Sequence, residues 1–379
     1  MPATRRAIVA VTNDLATDNR VDRTCGVLED LGHAVELVGR VLPQSPPVER
    51  SYATRRFRLW FRKGALFYAA YNVRLFLHLL VHRVQLIVAN DLDTLPACFL
   101  AARLKGAKLV YDTHEFYTEV PELVRRPFVR RIWLGFERWI FPRLRSVITV
   151  NDSIARAYEA RYPRLRTPDG KVAVVRNIPV PRDLGPMPTR AELGLPEEAF
   201  ILVLQGSGIN VDRGGEEAVL AMRDLPGCLL LLIGGGDAWP VLEELVRIHG
   251  LQDRVRLIGR LPYVDMMRHT RCADLGLTLD KDSNLNYRYS LPNKLFDYLH
   301  AGIPVLATDL PEVAAIVRRF DAGVVLPDPA PERIVTAVQA LRAEPDRHGA
   351  LRRNAIFAAA SLDGADERAA LKALLEGLG

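Results

Sequence analysis

The chain has 379 residues, 49% of them hydrophobic and 25% charged, with a net charge of +6. That balance fits a soluble globular protein of about two domains and excludes a disordered or collagen-like chain. The four cysteines, Cys25, Cys98, Cys228 and Cys272, stand apart with no CxxC or metal-ligand spacing, which excludes a disulfide scaffold or zinc module and predicts reduced, structural thiols.

In chain order, Arg5 and Arg6 precede AIVAV, an apolar run too short for the core of a signal peptide and suited to a first β-strand. Strand-like runs then alternate with longer amphipathic stretches: AIVAVTN, AVELVG, QLIVAN, KLVYD and SVITVN, followed by FILVLQG, LLLLIGGG, VRLIG, LGLTL and IPVLATD. This alternation predicts βαβ units and parallel sheets in an α/β fold of two Rossmann-like domains. Asn177 to Pro196 carries five prolines and little periodicity, so the linker is placed there, with domains over 1–177 and 178–379. From Pro331 onward the chain is Ala, Leu and Arg rich and predicted helical. No wholly apolar run approaches the ~20 residues of a membrane span, so no transmembrane helix is expected and the protein is expected to be cytoplasmic.

Charge is unevenly placed. Through Arg176 the chain holds 29 Lys+Arg against 17 Asp+Glu, a net of +12, and the remainder holds 22 against 28, a net of −6. Arg50 to Arg83 has eight basic and no acidic residues, interleaved with Tyr52, Phe57, Trp60, Phe61, Phe67, Tyr68, Tyr71 and Phe76. Arg125 to Arg145 repeats the style with Phe128, Trp133, Phe136, Trp139 and Phe141. Basic residues with aromatic anchors suit a helix lying on an anionic membrane surface, at about 1 kcal/mol per Lys or Arg near the lipid. The alternative is that the aromatics pack inward and the arginines only solvate the outside. No recognised nucleic-acid motif accompanies the charge, so no nucleic-acid partner is expected.

The stretch richest in chemistry is Ser290 to Asp309, SLPNKLFDYLHAGIPVLATD. Leu291 and Pro292 lead into a helix start, where Pro tolerates the missing N–H, and Asn293, Lys294 and Leu295 stand among the free backbone donors of the first turn. A helix N-terminus holding a lysine suits a diphosphate. Leu295, Phe296 and Leu299 form an apolar face at helical spacing, and Ile303 to Thr308 reads as a central parallel strand. Asp297 lies one turn beyond Pro292, within reach of the sugar ring of a nucleotide whose phosphates sit on the helix end. Upstream, Gln205 to Gly215 follows an apolar strand with Gly206, Ser207 and Gly208, then Arg213 before Gly214; such a turn approaches phosphate closely and the arginine adds fixed charge. Gly234 and Gly235 end a second strand, and Arg260 with Leu261 a third, so these loops are expected to frame the nucleotide base. Asn286 and Tyr289 lie in the polar NLNYRY loop, which offers donors and acceptors for sugar hydroxyls or is only a surface loop. No GxGxxG fingerprint follows the first strand, which argues against a nicotinamide or flavin enzyme.

The run PNKLFDYLHAGIPVLATD resembles the donor-site signature of the family 4 glycosyltransferases, in a subgroup carrying SLPNKLF(E/D)Y, and DNRVDR, YDTHE and QGSGINVDRGG fall in that family's order. The resemblance implies the GT-B fold, with two Rossmann-like domains facing across a cleft and a last helix that crosses back to the first domain. It implies a retaining transferase that moves a sugar from a nucleotide diphosphate sugar, with no cofactor and no metal. Arg213 and Lys294 would hold the diphosphate, Asp297 the ribose, and His114 the donor sugar near its reacting carbon. In this family the leaving diphosphate itself is thought to receive the acceptor's proton, so catalysis rests on positioning and charge neutralisation. Two departures stand out: Ser207 replaces a second cation, and Tyr289 replaces the first of two glutamates, with Asp297 in place of the second. Asp91-Leu92-Asp93 spells a metal-binding DxD but belongs to the first domain, where lining the acceptor cleft or capping the next helix is expected. Asn13, Asp14 and the DNRVDR segment, with Arg20, hold a sugar acceptor or cap the first helix. A lipid-linked or cell-envelope glycan at the inner face of the cytoplasmic membrane is the expected acceptor. The alternatives are a non-catalytic nucleotide-sugar-binding or assembly protein and a UDP-sugar epimerase on the same fold.

Overall fold

The computed structural model describes residues 5–16, 18–180, 182–362 and 364–378. The chain forms two compact units, Met1–Asn177 with Ala365–Gly379, and Ile178–Gly364. Each is built on one parallel sheet whose strands are apolar almost throughout, because helices cover both faces.

The first sheet runs in the order β3 (Ala53–Phe57), β2 (His33–Arg40), β1 (Arg5–Ala10), β4 (Leu86–Asn90), β5 (Lys108–Thr113), β6 (Val147–Thr149), β7 (Ala173–Val174). Chain order reverses between β1 and β4, which pair in parallel from Ala7 with Leu86 to Ala10 with Ala89. The second sheet runs β10 (Val255–Ile258), β9 (Cys228–Gly234), β8 (Phe200–Gly206), β11 (Leu275–Thr278), β12 (Val305–Thr308), β13 (Gly323–Leu326). Here the reversal lies between β8 and β11. The strand predicted from Ile303 to Thr308 is β12, buried throughout and one place in from the sheet edge.

The last helix, Gly364–Glu376, belongs to the first unit. Its Leu371 and Leu375 pack among Val9, Val21, Leu37 and Val88, each burial contributing about 1.5–3 kcal/mol. Arg368 pairs with Asp30 at 2.6 Å, and Glu367 accepts the Arg176 N–H at 2.6 Å. All four cysteines are free and buried.

Among the described residues one helix, Gly64–Val81, is long and apolar enough to cross a membrane by length and composition, a test that the core helix of a soluble protein also passes. Asn72, Arg74 and His78 interrupt its apolar run without making the helix polar overall. Its inner face, Phe67, Tyr71, Leu75 and Leu79, is buried. The aromatics of the first basic stretch also divide by direction: Tyr52, Phe57, Phe67 and Tyr71 are core residues, whereas Trp60 and Phe61 are exposed. The outward stripe of the Gly64–Val81 helix is aliphatic, formed by Leu66, Val73, Leu77 and Val81.

Candidate functional site

In open parallel sheets ligands gather beyond the carboxyl ends of the strands, where chain order reverses. The second unit brings the candidate donor residues to that place. The loop leaving β8 closes with Gly214 at φ +77°, where an added Cβ would lie 2.3 Å from Leu279 Cβ. Glycine therefore lets the Arg213 loop seat directly on the segment leaving β11. Asp280 in that segment, with a side chain only 2% exposed, receives both cations: Arg213 Nη1 stands 3.1 Å from its Oδ2 and Lys294 Nζ 3.8 Å from its Oδ1. The Arg213 guanidinium also covers the Tyr287 ring at 4.1 Å. Burial opposes the charge on Arg213, yet Asp280 outweighs it and raises the pKa above the ordinary value. Burial pushes the Lys294 ammonium below its usual range, with Asp280 resisting and Arg213 adding to the depression. Half-buried cations beside each other with one carboxylate form a site of net positive charge, suited to an anion.

Lys294 enters on the helix Asn293–His300, for which Pro292 is the N-cap and makes no side-chain capping bond. Leu295 turns its side chain wholly into the unit's core, and its N–H donates to the Pro292 carbonyl at 3.1 Å. Leu291 packs half-buried against the same core. Asp297 is 6% exposed and already accepts two protein hydrogen bonds, from Gln205 Nε2 at 3.0 Å and Tyr263 Oη at 3.0 Å. Burial pushes its carboxyl up to about 6 against those two donors. Whatever hydroxyl it meets must share a carboxylate that is already engaged. Asn286 is buried and Tyr289 half-buried; Asn284 caps the short helix Leu285–Arg288 by accepting the Tyr287 N–H at 2.9 Å, so NLNYRY is a capped turn. Ser207, Gly208 and Arg260 are exposed, Leu261 and Gly235 are half-buried and Gly234 is buried. Arg260 Nη2 donates to the Ser207 carbonyl at 3.0 Å, tying the loop after β10 to the one after β8.

The first unit gathers a second constellation beyond β1, β4 and β5. Asp91 takes φ +59° and its Oδ1 accepts the His114 N–H at 2.9 Å. The His114 ring lies between three side chains, with Nε2 3.1 Å from Asn90 Oδ1 and 3.7 Å from Asp112 Oδ2, and Nδ1 3.5 Å from Asp91 Oδ2. Burial opposes protonation, but the two carboxylates outweigh it and raise His114 to about 9, so its ring is an imidazolium at neutral pH with both nitrogens as donors. Asp91 thus holds His114 in place rather than capping the next helix, whose N-cap is Thr94. Asp93 accepts from Thr12 Oγ1 at 2.6 Å, and burial with Asp91 nearby pushes it up to about 7.

Arg20 lies deeper in the unit. Its guanidinium is buried, bound to Asp112 through Nη2 at 2.5 Å and Nε at 3.2 Å and to the Val175 carbonyl at 2.7 Å, so it lies under the constellation and not on an acceptor surface. Of the neighbouring residues, Asp18 is the N-cap of the first helix, accepting the Val21 N–H at 3.1 Å. Asn13 and Asp14 are half-buried and brace the loop, through Asn13 Nδ2 to Asp18 at 2.8 Å and Ser45 Oγ to Asp14 at 3.0 Å.

Asp280 escaped the sequence reading. The signal was present in LTLDKD, an acid directly after a strand, but only the strand order shows that this strand borders β8.

The Glycosyltransferase Family 4 domain matches residues 18–178, and the Glycosyl transferases group 1 domain matches residues 217–344. The chain is a glycosyltransferase of the GT-B fold. Sucrose-phosphate synthase from Thermosynechococcus elongatus superposes with a TM-score of 0.80 at 18% identity, covering 99% of each chain. WaaG, a glycosyltransferase involved in lipopolysaccharide biosynthesis, gives 0.72 at 17% identity over 94% of this chain and 96% of its own. HepE from Anabaena, in complex with UDP-glucose, gives 0.72 at 14% identity over 98% and 99%. At these identities the likeness is one of fold. No curated protein matches the chain.

Proposed function

We propose that this glycosyltransferase moves a sugar, with retention and without a metal ion, from a nucleotide diphosphate sugar to a lipid-linked or cell-envelope glycan. One observation carries the donor half: Arg213 and Lys294, far apart in sequence, converge on the buried Asp280 where the second sheet reverses its order. Two fixed cations there neutralise the leaving diphosphate, which is the charge that grows during transfer. That HepE binds UDP and UDP-glucose supports the choice of donor class. In the first unit, Asp91 and Asp112 keep the His114 ring charged, the form whose two N–H groups can donate to a sugar oxygen. Asp91 and Asp93 each already accept a hydrogen bond, from His114 and Thr12, in keeping with a role other than metal binding.

The deciding measurement is thermal unfolding with a panel of nucleotide sugars, with and without chelator. A ligand present at a hundred times its Kd stabilises the fold by about 2.7 kcal/mol. One nucleotide class is expected to raise Tm regardless of chelator, with the effect lost in Lys294→Ala; stabilisation that vanishes with chelator overturns the metal-free reading.

The acceptor half rests on the surface of the first unit. Trp60 is 98% exposed, and the outward stripes of two helices, Leu66, Val73, Leu77 and Val81 on Gly64–Val81 and Phe128, Ile132, Phe136 and Trp139 on Pro127–Ile140, are uncovered apolar rows beside Arg74, Arg131 and Arg138. The Pro127–Ile140 helix turns its one acid inward: Glu137 is buried, accepting from Tyr162 Oη at 2.7 Å and Arg161 Nη1 at 3.0 Å. Its outer face is thereby left cationic and apolar, the pattern of a helix lying in an anionic lipid surface. This pattern supports a peripheral site on the inner face of the cytoplasmic membrane. Co-sedimentation with phosphatidylglycerol vesicles, weakened by salt and absent with phosphatidylcholine alone, is the expected result. Phe128→Glu with Leu77→Glu should weaken partitioning by about tenfold or more, since each side chain forfeits about 1.5–3 kcal/mol of burial. Equal binding of both vesicle types would remove the anionic-surface reading.

A further inference from the structure

Asp280 has no counterpart in the chemistry described so far. It is a buried acid at the point where an anion is to bind, and a negative charge there competes with the diphosphate for the same two cations. Burying a carboxylate is costly unless it is paired, so its presence calls for a reason. Among the described residues its two oxygens are unequally served: Oδ2 has Arg213 at 3.1 Å, whereas Oδ1 has Lys294 at 3.8 Å and is buried without a hydrogen-bond partner. Arg213 Nε is likewise buried and without a hydrogen-bond partner. The cations are thus held near the acid but not saturated by it, each keeping capacity to donate elsewhere.

We infer that Asp280 is a positioning residue that stands in for the diphosphate when the site is empty and so weakens the grip on the diphosphate product. The inference rests on the donor-site reading above. With the acid in place the two cations are already partly neutralised, so an entering diphosphate has to take them from a resident carboxylate. The same charge makes every bound diphosphate share its cations, which lowers affinity for substrate and product alike. Uniform tight binding of that kind adds nothing to turnover, and a product held too firmly delays its own release.

The test is titration of inorganic diphosphate and of UDP against the wild-type chain, Asp280→Asn and Asp280→Ser, at low and high salt. Removing the resident charge is expected to tighten diphosphate binding by about tenfold in either variant and to steepen its salt dependence. A merely structural acid would do the reverse, because loss of its hydrogen bonds would disorder the cations and weaken binding. Unchanged or weaker binding in a variant that still unfolds cooperatively overturns the inference; the serine variant, which leaves room for water, covers the case in which asparagine does not fold. Lys294→Ala separates the two readings. If it binds diphosphate as the wild type does, the donor-site assignment fails; if it loses binding while the Asp280 variants gain none, only the role of Asp280 fails.

Discussion

Lys294→Ala is expected to lower kcat/KM for sugar transfer by roughly 100- to 1,000-fold, the usual cost of removing one fixed group that stabilises developing charge. The fold should barely notice. Lys294 meets Asp280 only at 3.8 Å, and the carboxylate keeps Arg213 at 3.1 Å when the lysine is gone. Removing a buried ammonium whose pKa is already depressed also relieves its own desolvation. Arg213→Ala should behave differently. It takes away the short partner of Asp280 and the cation lying 4.1 Å over Tyr287, so activity and Tm fall together. Steady-state kinetics and thermal unfolding on both variants check the contrast. Near-normal transfer by Lys294→Ala from the correct donor would remove Lys294 from the machinery.

Arg20→Leu carries the largest expected stability loss, about 3–5 kcal/mol, because it leaves Asp112 ionised, buried and without its arginine. For a unit of this size that corresponds to a fall in Tm of about 10 °C. The Val175 carbonyl loses its donor at the same time. The pH dependence follows from the direction of the Asp112 shift. Burial opposes ionisation, but Arg20 and His114 hold the carboxyl well below the ordinary carboxylate range. A depressed acid contributes stability above its unfolded pKa and loses it as the pH falls through the folded one. In Arg20→Leu the depression goes, and protonating Asp112 relieves the fault, so the Tm gap to wild type should narrow as the pH is lowered from 8 to 5. Adding Asp112→Asn to Arg20→Leu should recover much of the loss at pH 8. A gap that stays constant with pH would assign the loss to packing and not to the unpaired charge.

His114 contributes with the opposite sign. Its pKa is raised from 6.5 to about 9 by the fold, so its share of stability is complete below pH 6.5 and is lost between there and pH 9. The constellation around Asp112 is therefore most secure between the ordinary carboxylate range and about pH 6.5.

Much of the molecule was legible without coordinates. Apolar runs such as LLLLI and IVAV alternating with amphipathic stretches specify parallel strands under helices, because a strand buried on both faces has nowhere to put a polar side chain. A proline, a lysine and an apolar helical face in PNKLFDYL mark a helix start suited to phosphate, and Arg213 before Gly214 marks the loop that shares Asp280 with it. These signals are local, arising from spacing along a few turns of backbone. What stayed hidden is pairwise and distant. Leu295 looked like a ligand contact by position, yet the phase of its helix turns it into the core. Arg20 looked available at the start of its helix, but burial beside Asp112 makes it a counter-ion. Tyr52, Phe57, Phe67 and Tyr71 looked like lipid anchors until the sheet claimed them, leaving an aliphatic stripe outside. Asp280 is the sharpest case, since LTLDKD is an ordinary strand end until the sheet order sets β11 beside β8 and aims Arg213 and Lys294 at one carboxylate. The sequence by itself determined the elements, the two sheets and the cationic residues, because those depend on local periodicity; the tertiary structure alone decided which charges meet, because an ion pair is defined by the fold that removes both partners from water.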